Sequence, residues 1–454
     1  MRKEGEIVTD FDAIFKAYDV RGTVPDQFTE SGARAIGAAF GAFVRERGED
    51  TIVVGYDMRP ESETYAAAFG DGAIEQGINV VDLGLCATDM LYYASGVMEA
   101  PGAVFTASHN PAGYNGIKMC LAKAAPIGSD SGLETIRDMA KAGLDPVGSP
   151  GERSQKDVLA GYVAHVHSFV DLSALKPLKV VVDTANGMGG LVVPEAFAGL
   201  PIEIDHLYPE LDGTFPNHPA DPIQPENQAD LMARVLETGA DLGLAFDGDA
   251  DRVFLVDESA KPISGSLTTA LVAKAMLAKN PGATILHNLI CSKTVPEVVS
   301  ELGGAAVRTK VGHSFIKAVM AETGAVFGGE HSGHYYFADN FRADSGLIAA
   351  FMVLETLSNH DGGLGELVSS LDRYAASGEI NTKVDSPADV IERVAAAFGD
   401  ADIDRLDGLT VDLGDWWFNL RASNTEPLLR LNLEAADQAA VDQRTAEVLA
   451  LMAN

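Results

Sequence analysis

The chain has 454 residues, of which 46% are hydrophobic and 22% charged, and its formal net charge is −33. That length exceeds a single ordinary core and suggests about three domains. So acidic a chain is ill suited to unaided binding of nucleic acid or an anionic membrane, and an anionic substrate would need a locally positive site.

The first twelve residues are charged and unlike a signal peptide. No run of about 18 apolar residues is present, so no membrane span is expected. Cys86, Cys120 and Cys291 lie far apart, in no metal-ligand spacing, and read as buried thiols of a reducing compartment. The expected location is the cytoplasm.

Along the chain, Tyr18 and Arg21 flank an Asp in the stretch FKAYDVRG, which by itself reads as a turn or strand with a surface arginine. Ala33, Ile36, Phe40, Phe43 and Val44 recur at helical spacing over 31–47, and Gly48 is a stop signal. Strands are predicted over 51–55, 78–83 and 102–105, with helices over 61–76 and 89–98. Such alternation implies βαβ units and a mostly parallel sheet, whose ligands sit beyond the carboxyl ends of the strands. The stretch Thr106-Ala107-Ser108-His109-Asn110-Pro111 falls there. A serine so placed is either a turn residue bonded to its own backbone or a nucleophile. Asn115-Gly116 reads as a tight turn that returns Lys118 toward that loop.

A helix over 158–170 follows a Gly/Pro-rich segment and opens a second unit. Its strands are predicted over 178–183, 202–207, 241–246 and 253–257, with helices over 189–197 and 227–237. One strand runs into Asp247-Gly248-Asp249-Ala250-Asp251-Arg252. Carboxylates at every second position repel unless a cation holds them, and an all-oxygen set with a phosphate suits Mg²⁺. Asp247, Asp249, Asp251 and Glu258 also stand at positions of a Ca²⁺-binding EF-hand loop, but Arg252 occupies its obligatory glycine and the flanks read as strands. A solvated acidic turn is the plain alternative. Arg252 can pair with an Asp or bind phosphate.

The third unit alternates helices over 266–279, 295–302, 314–322, 344–357 and 364–371 with strands over 283–289 and 306–311. Gly312, before His313 and a helix, either caps that helix or offers backbone N–H groups to an anion. Glu330, Ser332 and His334 share one face if their backbone is extended, suited to sugar hydroxyls. After residue 372 the pattern becomes strands over 380–384, 410–413, 416–422 and 428–434 with helices near 390–398 and 441–451. Arg421, Ser423, Asn424 and Thr425 occupy a tight loop there, which is a hairpin turn or a phosphate grip. The expected domains are 1–155, 156–260, 261–372 and 373–454. The fold class is α/β, with three related mixed-sheet units and a smaller C-terminal α+β domain.

TASHNP, DGDADR, GGEHSGH and RASNTEP, in this order and with YDVRG and KVGHS beside them, resemble the α-D-phosphohexomutase family. Over essentially the whole chain the set is most similar to the bacterial phosphomannomutase/phosphoglucomutase branch. The resemblance implies four domains around a central cleft, the fourth mobile. It implies that Ser108 carries a phosphoryl group and that Asp247, Asp249 and Asp251 hold Mg²⁺ together with that group. His109, Lys118 and Arg252 would stabilise the transferring phosphoryl group, with His334 and Lys118 the candidates for proton transfer. Tyr18, Arg21 and His313 would line the cleft, Glu330 and Ser332 would meet sugar hydroxyls, and Arg421, Ser423, Asn424 and Thr425 would hold the unreacting phosphate. Lys293 stays unassigned.

The implied reaction moves a phosphoryl group between the 1- and 6-positions of mannose or glucose phosphate, through a hexose 1,6-bisphosphate that also primes the enzyme. No obligatory protein partner is expected. Competing readings are a phosphoglucosamine mutase on the same fold, a metal-dependent sugar phosphatase and a sugar-phosphate binding protein. Ala250, where the glucosamine branch usually has a second Gly, favours the hexose branch.

Overall fold

The computed structural model describes residues 9–128, 131–399, 401–422 and 428–453. In the first unit the strands are β1 (Val20–Thr23), β2 (Thr51–Tyr56), β3 (Asn79–Leu85), β4 (Gly102–Phe105), β5 (Tyr114–Leu121), β6 (Ala125–Pro126) and β7 (Arg153–Gln155). They form one sheet in the order β1-β5-β4-β2-β3-β7, with β6 beside β5. The second sheet holds β8 (Leu178–Asp183), β9 (Ile202–Leu207), β10 (Leu242–Phe246), β11 (Val253–Asp257) and β12 (Pro262–Ile263), in the order β12-β11-β10-β8-β9. The third holds β13 (Thr284–Asn288), β14 (Ala305–Thr309), β15 (Phe327–Gly329) and β16 (Tyr335–Phe337), in the order β14-β13-β15-β16. The fourth is wholly antiparallel: β17 (Ala375–Lys383), β18 (Asp402–Asp404), β19 (Leu409–Asp412), β20 (Trp416–Ala422) and β21 (Leu428–Ala435), in the order β17-β21-β20-β19-β18.

The first three sheets repeat one device. A buried strand lies parallel to a neighbour, leaves the sheet in a polar loop, and returns antiparallel beside itself. It is β4 into β5, β10 into β11, and β15 into β16. The loops between them carry Ser108, the aspartate run and Glu330. The repetition seen in the sequence as alternating elements is therefore real, but the sheets are mixed rather than mostly parallel.

The Asn-Gly turn expected at 115–116 is not a turn. Both residues lie inside β5, where Asn115 pairs with Gly22 and Gly116 with Arg21. Gly116 is needed for close approach, because a Cβ there would meet the Val20 carbonyl oxygen at 2.1 Å. A central strand position overrides the local turn preference. A helix that the sequence reading missed, Leu133–Ala142, buries Leu133, Ile136 and Ala140 on one face. The second sheet runs through Ile263, past residue 260.

The helix Gly346–Ser358 is apolar nearly all round and is buried along its length. It sits in a core that is continuous through the first three units, from Val53 to Leu371. The fourth domain has its own core, including Trp416, Phe418, Leu420, Leu431 and Val448. No helix among the described residues is long and apolar enough to cross a membrane.

His287 on β13 is buried, and burial pushes its imidazole down to about 4. The unfolded chain, with His near its ordinary value, then binds more protons between about pH 6.5 and 4. Stability is retained above that window and falls as pH drops through it, by about 3 kcal/mol at most. Urea unfolding at pH 7 and pH 5 should show this loss, and His287→Gln should flatten it.

Candidate active site

Ser108 stands at the end of β4 with a φ of +49°, a region sparsely populated by residues other than Gly. The turn swings its hydroxyl across to the second unit, where Ser108 Oγ donates to Asp247 Oδ2 at 2.9 Å. Arg252 Nη2 lies 3.3 Å from the same Oγ, while its Nε donates to Asp247 Oδ2 at 2.8 Å. The two loops are in backbone contact: a Cβ on Gly248 would meet the Ser108 carbonyl oxygen at 2.4 Å. Gly248 thus lets the serine loop and the aspartate loop touch.

Arg59, which the sequence reading passed over, holds the serine loop from beneath. Its Nη2 donates to the carbonyls of Ser108 and Asn110 at 2.9 and 2.7 Å, and its Nη1 to those of Pro111 and Tyr114, both at 3.0 Å. Asp57 faces its Nε at 3.3 Å, and both side chains are buried. Removing one partner of a buried pair strands the other charge. Arg59→Ala should therefore cost about 3–5 kcal/mol in urea unfolding and depress turnover, and Arg59→Lys should recover little of either because lysine lacks the planar fork.

The aspartate run forms the hairpin turn between antiparallel β10 and β11, so the helix-loop-helix setting of an EF-hand is absent. Lys118 crosses from β5 and bridges Asp249 Oδ2 at 2.7 Å and Asp251 Oδ2 at 2.5 Å. Thr88 Oγ1 donates to Asp249 Oδ2 at 2.6 Å. One oxygen from each of Asp247, Asp249 and Asp251 lies within 4.8 Å of the others. Oδ1 of Asp249 and Oδ1 of Asp251 are buried without a hydrogen-bond partner, which is costly unless something fills the gap between them.

Burial, opposed by Arg252 and reinforced by the other two aspartates, pushes Asp247 up to about 7. The cluster carries more negative charge than its lysine and arginine offset. The donor set is all oxygen and short of a cation, so the aspartate triad can bind a metal ion, and a hard one suits it. For Lys118, burial opposes the charge, but Asp249 and Asp251 hold its ammonium well above the ordinary lysine range. Burial, then Arg252 and Arg21, hold His109 well below the usual imidazole range. His109 Nδ1 lies 3.3 Å from Ser108 Oγ.

Glu330, Ser332 and His334 are not on an extended strand. They form the β15–β16 turn, closed by Glu330 N–H donating to His334 O at 3.0 Å. Their common face is lost, but Ser332 Oγ still reaches Glu330 Oε2 at 3.3 Å. Gly312 N–H donates to Glu330 Oε1 at 2.9 Å, so that amide meets a carboxylate of its own unit. The His334 ring turns instead toward the aspartate cluster, with Nδ1 2.9 Å from Asp344 Oδ2 and 3.8 Å from Asp251 Oδ1. Burial lowers its basicity, and Asp251 and Asp344 more than restore it. Buried Lys317 sits 3.5 Å from Asp344 Oδ1. Asp344 and Lys317 were not singled out from sequence.

Arg21 Nη1 donates to Asn110 Oδ1 at 2.6 Å and to the Ala107 carbonyl at 3.3 Å. Tyr18 is raised by burial, then by Asp19 and Glu330, and lowered by Arg21 and Arg421. Groups of the first, third and fourth units therefore act on one phenol. Arg421 leaves β20 with Nη1 3.5 Å from Asp407 Oδ2. Ser423, Asn424 and Thr425 lie outside the described residues, as does the side chain of His313.

Four consecutive matches cover most of the chain. Residues 12–145, 160–261 and 264–374 match "Phosphoglucomutase/phosphomannomutase, alpha/beta/alpha" domains I, II and III, and residues 379–451 match the C-terminal domain of that family. Among curated relatives, "Phosphohexose mutases" of Xanthomonas campestris pv. campestris is 42% identical over 445 residues, covering 96% of this chain and 98% of the relative. "Phosphomannomutase" of Escherichia coli strain K12 is 40% identical over 451 residues, with the same coverage. A solved structure of a phosphoglucomutase/phosphomannomutase family protein from Burkholderia thailandensis superposes with a TM-score of 0.90 at 33% identity, covering 98% of each chain. With the four domains in order, at this identity and over nearly the full length, the chain belongs to the phosphoglucomutase/phosphomannomutase family of phosphohexomutases.

Proposed function

We propose that this enzyme interconverts hexose 1-phosphate and hexose 6-phosphate, with mannose and glucose as its sugars, using Ser108 as the phosphoryl carrier. The observation that carries this reading is the position of Ser108 Oγ. It is bonded to Asp247 and faces Arg252, beside a carboxylate triad in which Asp249 Oδ1 and Asp251 Oδ1 are buried without a hydrogen-bond partner.

Phosphorylated Ser108 gives its phosphoryl group to the 6-hydroxyl of a hexose 1-phosphate. The Ser108 Oγ–P bond breaks, the sugar O6–P bond forms, and the hydroxyl proton leaves to a base. The resulting 1,6-bisphosphate turns over in the cleft and returns its 1-phosphate to Ser108. Mg²⁺ held by Asp247, Asp249 and Asp251 would neutralise phosphoryl charge. Catalysis of this kind is chiefly positioning and charge stabilisation.

Arg252 and Lys118 supply fixed positive charge beside Ser108. Lys118, clamped as an ammonium between Asp249 and Asp251, is a poor proton acceptor. His334, oriented through Nδ1 by Asp344, is the better candidate base. Glu330 and Ser332 would take sugar hydroxyls, and Arg421 with the loop 423–425 would grip the distal phosphate. Tyr18, Arg21, Gly312 and His313 would line the cleft.

The test is a mutase assay with Mg²⁺ and a trace of glucose 1,6-bisphosphate, run on mannose 1-phosphate and glucose 1-phosphate in parallel. Conversion of both to 6-phosphates is the expected result. Conversion of neither, or steady release of inorganic phosphate faster than isomerisation, overturns the reading.

A further inference from the structure

Residues 208–224 run from the end of β9 toward the helix Ala229–Thr238 and carry neither helix nor strand. A connection this long without elements of its own is uncommon inside a compact domain and is usually functional. Neither Ser108 nor the aspartate run belongs to it. Its contacts nonetheless fall on the two arginines that serve Ser108, Arg59 beneath the serine loop and Arg252 beside the hydroxyl.

Gly213 lies directly against Arg59: a Cβ there would meet Arg59 Cα at 2.5 Å and the Met58 carbonyl oxygen at 3.1 Å. The Arg59 guanidinium stands 5.0 Å from the centre of the Phe215 ring. Phe215 has a φ of +51°, a conformation that bulky residues rarely adopt. Such strain persists only where the surroundings impose it. Ala220 packs with Phe215, Ala185 and Met58, and its Cβ is 3.5 Å from where a Cβ on Gly248 would stand. Burial raises Asp221, and the charge of Arg252 opposes that rise. The segment thus leans on Arg59 at one end and on the loop from Gly248 to Arg252 at the other.

His218, between Phe215 and Ala220, fastens this segment to the second sheet. Its Nε2 lies 3.0 Å from Asp183 Oδ2, at the end of β8, and its Nδ1 lies 2.9 Å from the Pro219 carbonyl oxygen. A carbonyl and a carboxylate both accept, and a neutral imidazole has one N–H to give. Serving both makes the ring an imidazolium. Burial works against that charge, and Asp183, the Pro219 carbonyl and Asp230 more than restore it. The other group against the ring is Tyr208, edge-on at 5.4 Å, whose hydroxyl donates to Asp230 at 2.7 Å. The Asp183 side chain is only 2% exposed, so losing the cation would strand a buried carboxylate.

We propose that His218 is a positioning residue for phosphoryl transfer: its imidazolium pins residues 208–224 to Asp183, and the pinned segment holds Arg59 and Arg252 in place around Ser108. The proposal rests on Ser108 as the phosphoryl carrier. His218 acts through the two arginines, so its loss slows the transfer step and leaves the affinity for sugar phosphate as it was. Deprotonation acts as substitution does. The grip is complete below about pH 6.5, the ordinary histidine value, and is lost as pH rises through the higher value that the fold imposes.

The test compares the full-length wild type with His218→Gln, His218→Arg and Asp183→Asn, in the mutase assay and by NMR of isotope-labelled histidine rings. His218→Gln should lose kcat by about tenfold to a hundredfold, with KM for mannose 1-phosphate unchanged. Asp183→Asn keeps an oxygen for the bond that Asp183 Oδ1 accepts from Ala185 N–H, and should show the same split. His218→Arg keeps a cation, so it should recover most of kcat and decline less than the wild type as pH rises. The His218 signals, identified by their loss in His218→Gln, should show both ring nitrogens protonated and should titrate above about pH 6.5. A residue that only stabilised the fold would lower Tm and leave kcat of the folded enzyme alone. Unchanged kcat in folded His218→Gln or Asp183→Asn, a loss confined to KM, or a His218 ring that titrates below about pH 6.5 would each overturn the proposal. No turnover in the wild type would overturn the Ser108 reading and this proposal together, whereas wild-type turnover with unaffected variants overturns this one alone.

Discussion

Replacing Ser108 by Ala should reduce mutase turnover by a factor of about 10⁴ or more. The size of the effect follows from the route. If the phosphoryl group must rest on Oγ between the two transfers, no other side chain at the site can carry it. His109 is adjacent, with Nδ1 3.3 Å from Ser108 Oγ, but it is Oγ that bonds Asp247 beside the aspartate triad. The fold should survive the change. The loop backbone is held by Arg59 through four carbonyls, and none of those bonds involves the serine hydroxyl. Circular dichroism and urea unfolding of the variant should therefore stay close to wild type, while the coupled assay reads background. Incubation with glucose 1,6-bisphosphate should add the mass of one phosphoryl group to the wild-type protein and nothing to the variant. Near-normal activity in Ser108→Ala would sink the nucleophile assignment.

What the sequence disclosed about this site, and what it hid, divides along a physical line. Ser108 and the three aspartates were legible because each set is contiguous and ends a buried strand. Residues within one turn must be close whatever the rest of the chain does. Arg59 was hidden because its partners stand at Ser108, Asn110, Pro111 and Tyr114, across a sheet contact. Asp57-Met58-Arg59-Pro60, at the end of β2, did offer a weak signal: charged residues where a buried parallel strand gives out. Asp344 and Lys317 were hidden for the same reason, since each acts on His334 or on the other only after the third unit has folded. The turn read at Asn115-Gly116 failed because pairing with β1 and β4 outweighs a dipeptide preference. The shared face expected of Glu330, Ser332 and His334 failed because two strands this short must be joined by a tight turn, and those residues are the turn.

Asp249→Asn should abolish metal-dependent stabilisation and turnover together. Asp249 works on two sides at once. Its Oδ2 accepts from Lys118 and Thr88, and its Oδ1 is buried without a hydrogen-bond partner, in a triad compact enough to share one cation. An asparagine can satisfy one side and not both. With its oxygen toward Lys118, the amide N–H₂ replaces an oxygen ligand. With its oxygen toward the triad, the N–H₂ confronts an ammonium donor. Wild-type protein at a Mg²⁺ concentration about a hundred times Kd should gain about 2.7 kcal/mol over the metal-free form, seen as a chelator-reversible rise in Tm. The variant should show no such rise. The metal-free variant should be less stable than the metal-free wild type, because Lys118 keeps only Asp251 as a carboxylate partner. The missing response to Mg²⁺ is therefore what separates a ligand from a residue that merely holds Lys118 in place. Loss of Lys118's anchor alone would lower apo stability and leave the metal response intact.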